Sequence, residues 1–348
     1  MKRASTDARH SIHVGQLLVL PLYLLNKRAF QTCMTATKES AALLIISIMH
    51  WWAPSAVRVV TDASIRDEIG VSDGKLSCNF AKRAVIIANH QTFTDWVYLW
   101  FMAYTESLHA WLYIMLKRDL LWIPGIGLGL RLFGFIFVDR SWTTDESRLR
   151  RTMAKLNERK DDPMWLLVFP EGTNINARAK ALSAKFAAKT GQPDTRHTLL
   201  PRATGLLLCL RSLEPTVEWM YDCTIAYQGI LEGEYATTTY TFRGTFFQGK
   251  QPRSVGLHWR RFRIADIPLE DEEDFAKWVV ARWREKDELI EAYLKTGRFP
   301  CEGGAMPEVP VATHSPLEYL RIFLPLFAAV CVVGIVWMSY YWLSRIIR

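Results

Sequence analysis

Hydrophobic positions in this chain follow two different patterns. Near both ends they form long runs, whereas from about residue 80 to 300 they come as short apolar strands alternating with amphipathic stretches. The longest run, Ile322 to Leu343, holds no charged residue and is bounded by Arg321 and Arg345. At ~1.5 Å of rise per residue it is long enough for the ~30 Å hydrocarbon core of a bilayer, which predicts a C-terminal transmembrane helix. Trp337, Tyr340, Tyr341 and Trp342 near one end suit the membrane–water interface. Two further runs, Val14 to Leu25 and Ala41 to Val57, are shorter, and the second is interrupted by His50 and Pro54. Both fall short of a comfortable span and predict N-terminal helices embedded in, or lying on, the membrane. Asn26-Lys27-Arg28 follows the first run where a cleaved signal would have small residues, so an uncleaved segment is expected.

In the middle, Ala84 to Ala88, Phe135 to Val138 and Trp165 to Phe169 read as buried strands, and Cys223 to Tyr227 as a later one. Thr143 to Arg159 is a charged helix candidate with Glu146 in its first turn, and Asp271 to Leu294 reads as an acid-started amphipathic helix. Such alternation predicts an α/β fold with a mostly parallel sheet and flanking helices. The expected organisation is residues 1–60 as N-terminal membrane-associated helices and 61–300 as the globular domain. A Gly/Pro-rich linker over 301–318 would then lead into the C-terminal transmembrane helix, 319–348.

Charge narrows the partners. A formal net charge of +8 favours anionic ones, but no zinc-finger spacing, aromatic RNA-binding motif or long basic run points to nucleic acid. Fourteen Trp beside long apolar runs point to lipid instead. The six Cys, at 33, 78, 209, 223, 301 and 331, include no Cys-x-x-Cys pair, so free thiols are expected rather than a disulfide framework or metal site. No Asn-x-Ser/Thr sequon occurs, in keeping with a cytosol-facing domain.

Candidate chemistry sits at the ends of the predicted strands. Asn89-His90-Gln91-Thr92-Phe93-Thr94-Asp95-Trp96 follows the first strand directly, where α/β proteins place their sites. The five-residue offset lets Asp95 fold back over one helical turn onto the imidazole, fixing its tautomer and raising the basicity of the other nitrogen. A lone histidine is more often a satisfied structural residue, but here a carboxylate accompanies it. Phe169-Pro170-Glu171-Gly172-Thr173-Asn174 closes another strand with backbone N–H groups, a hydroxyl and a carboxylate in one turn. Arg140, after Phe135 to Val138, suits bidentate phosphate binding, with an ion pair to Asp139 or Glu146 as the plainer alternative. Leu199-Leu200-Pro201-Arg202-Ala203-Thr204-Gly205 sets a further Arg beside a turn.

These four blocks, in their order along the chain, resemble the glycerophosphate and 1-acylglycerol-phosphate acyltransferase superfamily. The resemblance is nearer to its branch of lysocardiolipin and lysophosphatidylinositol acyltransferases, shared through Leu99-Trp100, Leu200 to Gly205, Tyr221 to Tyr227 and Trp278 to Lys286. Leu200-Pro201-Arg202 departs from the Val-Pro-Val-type fourth block of many members, which leaves the headgroup open, and Asp62 to Asn79 does not align. The resemblance implies an enzyme of phospholipid synthesis or remodelling, integral to a membrane such as the endoplasmic reticulum. It would esterify lysophosphatidic acid, lysophosphatidylinositol or lysocardiolipin from acyl-CoA as co-substrate, with no cofactor and no metal. His90 and Asp95 would be catalytic, and Arg140, Glu171, Gly172, Thr173 and Arg202 would place the substrates. The rivals are a non-catalytic membrane-anchored lipid-binding or tethering protein of the same fold, which has no need of a base, and a membrane hydrolase that activates water.

Two other motifs are decoys. Gly70-Val71-Ser72-Asp73-Gly74 fits Gly-x-Ser-x-Gly, but Asp67-Glu68-Ile69 rather than an apolar strand precedes it, so a surface turn is expected. Gly125-Ile126-Gly127-Leu128-Gly129 lacks dinucleotide-loop spacing, and with Trp122 and Pro124 beside it reads as a membrane-interface element.

Overall fold

The computed structural model describes all residues except 1, 66, 140, 232, 302–305, 326, 328–329, 332–333, 335–336, 339–340, 343–344 and 346–348. The chain divides into two compact units, one of residues 1–48, 119–134 and 312–348, the other of 49–118 and 135–311.

The larger unit is built on an eight-stranded sheet. Its strands are β1 (Ala56–Thr61), β4 (Arg83–Ala88), β5 (Leu112–Lys117), β6 (Ile136–Val138), β7 (Met164–Val168), β8 (Trp219–Tyr227), β9 (Ser254–Arg263) and β10 (Val309–Pro310), while β2 (Ile69–Ser72) and β3 (Lys75–Cys78) form a separate hairpin. The spatial order is β10-β1-β9-β8-β4-β7-β5-β6. All pairings are parallel except β8 with β9 and β1 with β10, so the expected mostly parallel α/β architecture is present. Every residue of β7 is buried, as is all of β4 beyond Arg83, which explains why these strands read as continuous apolar runs: helices or aromatic side chains cover both faces.

Val85 and Ile87 of β4, with Leu166 and Val168 of β7, face a core closed by Leu149 and Met153 of the helix Trp142–Glu158, by Leu206 and Leu210 of Ala203–Leu213, and by Phe275, Val279 and Trp283 of Glu272–Thr296. On the other face Phe80 stacks on Tyr221 and meets Trp165 and Trp259. The long helix Glu272–Thr296 is started by Asp271, whose carboxylate accepts from the Glu273 and Asp274 amides at 2.8 and 2.9 Å. It stops at Gly297, whose φ of 71° is the left-handed C-terminal conformation.

Several expectations shift in detail. The helix after β6 starts at Trp142, and Asp145 rather than Glu146 holds its entry, accepting from the Asp139 and Ser141 amides at 2.8 and 3.2 Å. Gly70 to Gly74 is the turn of the β2–β3 hairpin, with Asp73 and Gly74 at φ 52° and 70°, as a two-residue turn with left-handed central residues requires. The run Ala41 to Val57 is not one element: it is the apolar half of a helix, Lys27–Trp52, followed by a break and then β1, which contains Val57.

In the smaller unit, Lys2–Val19 and Lys27–Trp52 are the long described helices. Among the described residues, Lys27–Trp52 is the helix long and apolar enough to cross a membrane. Arg321 pairs with Glu39 at 2.5 Å, and Lys38 donates to the Phe133 carbonyl at 3.2 Å. In the glycine-rich stretch, a Cβ on Gly127 would collide with the Leu121 carbonyl, while Trp122, Ile123, Ile126 and Leu128 are exposed. The predicted C-terminal span, Ile322 to Leu343, lies partly outside the described residues.

Candidate active site

Parallel register brings distant sequence blocks to one sheet edge. Ile87 of β4 lies opposite Val168 of β7, so the segments Asn89–Asp95 and Phe169–Thr173 leave the sheet side by side. Ala88 lies opposite Cys223 of β8, and Tyr227 therefore extends past that same edge. Asn89 ties the histidine loop down: its side chain donates to the Ile225 carbonyl at 2.9 Å and accepts from the Ile225 amide at 2.7 Å.

His90 Nδ1 lies 2.8 Å from Asp95 Oδ2, and the ring stacks on Phe169 with centroids 4.3 Å apart. Asp95 is fully buried at the start of the helix Asp95–Thr105, where the helix dipole favours a negative charge. Its carboxylate also accepts from the Gln91 and Thr92 amides (2.5 and 3.0 Å), from the Thr92 hydroxyl (3.1 Å) and from the Tyr227 hydroxyl (2.6 Å). A carboxylate so surrounded by donors can only accept, so Nδ1 carries the imidazole proton and Nε2 presents a lone pair. Burial pushes the Tyr227 phenol well above its ordinary value, which keeps it a donor.

Glu171 is buried behind the histidine. Its Oε1 accepts from the His90 amide at 3.3 Å and from Trp283 Nε1 at 3.0 Å. Burial pushes its carboxyl up to about 8, against the opposing pull of those two hydrogen bonds. Gly172 has φ 71°, a conformation that favours glycine, and its N–H closes the turn onto the Phe169 carbonyl at 2.9 Å. Thr173 is half-buried on the same turn. Arg202 is fixed to this turn by its amide, 2.8 Å from the Pro170 carbonyl, and its exposed side chain lies along Gly172. No carboxylate pairs with its guanidinium among the described residues.

Five of the expected site residues besides His90 and Asp95 were Arg140, Glu171, Gly172, Thr173 and Arg202, and the structure gathers the last four around the histidine loop. Arg140 lies outside the described residues. Of the ion-pair partners foreseen for it, Asp139 meets Arg118 and Arg148 at 2.8 and 3.0 Å and Glu146 meets Arg150 at 2.9 Å. Three participants were not foreseen: Asn89, Tyr227 and Trp283 lay inside quoted blocks without a role.

A parallel α/β sheet with these blocks at one edge is matched by two family models. One described as Acyltransferase covers residues 59–225, and one described as Acyltransferase C-terminus covers 245–324. The class of protein is thus an acyltransferase. The 2-acyl-1-lysophosphatidylinositol acyltransferase of Saccharomyces cerevisiae is 34% identical over 93% of this chain and 90% of its own length. Lysocardiolipin acyltransferase 1 of Gallus gallus is 33% identical over 64% of this chain and 57% of its own. The 1-acyl-sn-glycerol-3-phosphate acyltransferase gamma of Homo sapiens is 27% identical over 92% and 80%. The chain belongs to the glycerolipid acyltransferase superfamily, as an enzyme of the 1-acylglycerophospholipid type.

Proposed function

We propose that this enzyme transfers an acyl group from acyl-CoA to the free hydroxyl of a lysophospholipid at a membrane, with His90 as general base. The observation that carries the reading is the His90–Asp95 contact at 2.8 Å with Nε2 left as acceptor. A lipid hydroxyl is a poor nucleophile at neutral pH. Nε2 takes its proton as the oxygen attacks the thioester carbonyl, and Asp95 stabilises the imidazolium. The tetrahedral intermediate then expels the CoA thiolate, which recovers that proton from Nε2. General-base help of this kind is worth roughly 10²–10⁴ in rate. No serine or cysteine nucleophile, metal or prosthetic group is called for.

Arg202 opens the helix Ala203–Leu213, whose N-terminus has no side-chain cap. Its first amides and the guanidinium suit a substrate phosphate beside the Gly172–Thr173 turn, with Arg140 as a further candidate. Amides of that helix start are better oxyanion donors than the Gly172 N–H, which is already bonded to Phe169. Lysophosphatidylinositol is the favoured acceptor, since the yeast relative matched along 93% of the chain carries that activity in its name, with lysophosphatidic acid and lysocardiolipin next. Lys27–Trp52, with the C-terminal run, would make the enzyme integral to a membrane, such as the endoplasmic reticulum.

The purified chain in phosphatidylcholine vesicles, given labelled oleoyl-CoA and these three lyso-lipids, should place label in phospholipid. His90→Ala should abolish the transfer. Label recovered only as free fatty acid would make the chain a hydrolase, and no turnover at all would favour the tether.

A further inference from the structure

We infer that the helix Glu272–Thr296 is the positioning element of the active site, and that Trp283 orients Glu171, and through it the backbone of the base His90, by its indole N–H. The inference rests on the proposed base role of His90.

Four side chains on one face of this helix, at positions 283, 286, 287 and 291, reach three parts of the site: the Glu171 turn, β8 and the 196–198 loop. Trp283, fully buried, donates from Nε1 to Glu171 Oε1 at 3.0 Å, and the same oxygen accepts the His90 amide at 3.3 Å. One turn on, Lys286 sits with its ammonium 5.2 Å from the centroid of the Trp283 ring, pairs with Asp222 of β8 and donates to the Cys223 carbonyl at 2.6 Å. The indole is thus fixed on the sheet by a cation on its face and cannot rotate away from Glu171 without breaking that contact. Asp287 accepts from three consecutive amides, Arg196 at 2.7, His197 at 2.6 and Thr198 at 3.1 Å, and so holds the loop leading into Leu200-Pro201-Arg202. That loop returns to the histidine: Gln91 Nε2 donates to the His197 carbonyl at 2.7 Å. Glu291 closes the set on the His197 ring at 2.5 Å. The spacing i, i+3, i+4, i+8 aligns all four on one stripe, so the helix reads the positions of the histidine loop, the Glu171 turn, β8 and the 196–198 loop at once.

Trp283 contacts no reacting atom and acts only through Glu171. The charged group acting on that carboxyl is Asp95 on the histidine loop, and its other donors are the His90 and Leu199 amides. None of these replaces the indole donor.

Packing and donation are separated by two substitutions with opposite demands. Trp283→Phe keeps an aromatic, apolar ring and loses the N–H; Trp283→His keeps a ring N–H on a smaller, polar side chain. Positioning by donation predicts kcat in the order wild type, Trp283→His, Trp283→Phe, with the Phe variant down about 2- to 10-fold, the loss expected for a hydrogen bond to a carboxyl that burial keeps protonated near neutral pH. Thermal stability should run the other way, Phe above His. A kcat order with Phe above His would reduce Trp283 to core packing and overturn the inference. Asp287→Asn asks the same of the loop independently of the core: kcat/KM should fall about 10-fold with the unfolding midpoint unchanged, and a value within about twofold of wild type would overturn the claim for that contact. His90→Ala run alongside tells the failures apart. A fully active His90→Ala chain defeats the base assignment, whereas the Trp283 and Asp287 results bear only on the helix.

Discussion

Tyr227, at the end of β8, donates its hydroxyl to Oδ1 of Asp95 at 2.6 Å, while Oδ2 of the same carboxylate holds His90 Nδ1 at 2.8 Å. Each carboxylate oxygen thus has its own task, one facing the imidazole and one facing the sheet. Removing the phenol leaves Oδ1 with the Thr92 hydroxyl at 3.1 Å, so the carboxylate is then held chiefly through Oδ2. Tyr227→Phe should therefore lower kcat about 10-fold, with KM for both substrates little changed, since a hydrogen bond to a charged group is lost away from either substrate. Steady-state kinetics at saturating acyl-CoA check this; an unchanged kcat would show that Thr92 and the two amides suffice to hold Asp95.

Asp95→Asn tests the tautomer rather than the contact. An amide set toward Nδ1 through its NH₂ would force the proton onto Nε2, which would then have no lone pair for the lipid hydroxyl. The loss should approach that of His90→Ala, on the order of 10²–10⁴ in kcat. Activity within about threefold of wild type would mean that His90 does not act as a base.

The pairing of His90 with Asp95 was legible because its partner lies five residues along, within reach of one helical turn. The Tyr227–Asp95 and Trp283–Glu171 contacts cross 132 and 112 residues, and only the β4–β8 register and the packing of a distant helix create them. Strands β4 and β7 announced themselves by unbroken apolar runs, whereas the hairpin β2–β3, four residues a side with mixed burial, carries too little pattern to be seen. The helix Lys27–Trp52 was half visible, because its first turns, Lys27-Arg28 through Lys38-Glu39, are polar and only the rest is apolar.

Arg202→Ala should raise the apparent KM for the phosphate-bearing substrate it serves by about 10- to 100-fold, the equivalent of ~1.5–3 kcal/mol for a charge-assisted contact. Its guanidinium is exposed and its structural link runs through its backbone amide to Pro170, so folding should be spared. Comparing KM for lyso-lipid and for acyl-CoA in the variant identifies which phosphate it meets. If both stay at wild-type values, Arg202 serves neither.

Lys286 and Asp222 are both fully buried, and Arg260 completes the group at 2.9 Å from Asp222 Oδ2. Burial alone would raise the Asp222 carboxyl, but the two cations hold it below its ordinary value. Lys286→Met leaves that charge with Arg260 alone and should cost about 3 kcal/mol, toward the lower end for a broken buried pair. The double variant Lys286→Met/Asp222→Leu removes the stranded charge and should regain part of that loss. Chemical unfolding of the three chains decides it; a double variant less stable than Lys286→Met would show that the ion group stabilises the fold on balance.

Glu171 makes stability depend on pH in a direction opposite to that of a salt-bridged carboxylate. Its carboxyl is pushed up to about 8 in the folded chain by burial, from 4.5 when solvated, so between those values the folded state keeps a proton that the unfolded state has released. Its contribution is therefore fully present below about pH 4.5 and is lost as pH rises, at about 1.4 kcal/mol per pH unit, levelling off once pH passes about 8. Glu171→Gln keeps the shape and an acceptor for His90 N–H and Trp283 Nε1 but cannot ionise. The stability of this variant relative to wild type should consequently rise with pH across the window from about 5 to about 8, at up to that slope. Unfolding midpoints of both chains measured at half-unit pH steps test this. Parallel curves for the two chains would mean that Glu171 titrates in the folded state as it does in solvent, and that water or a bound cation reaches its buried turn.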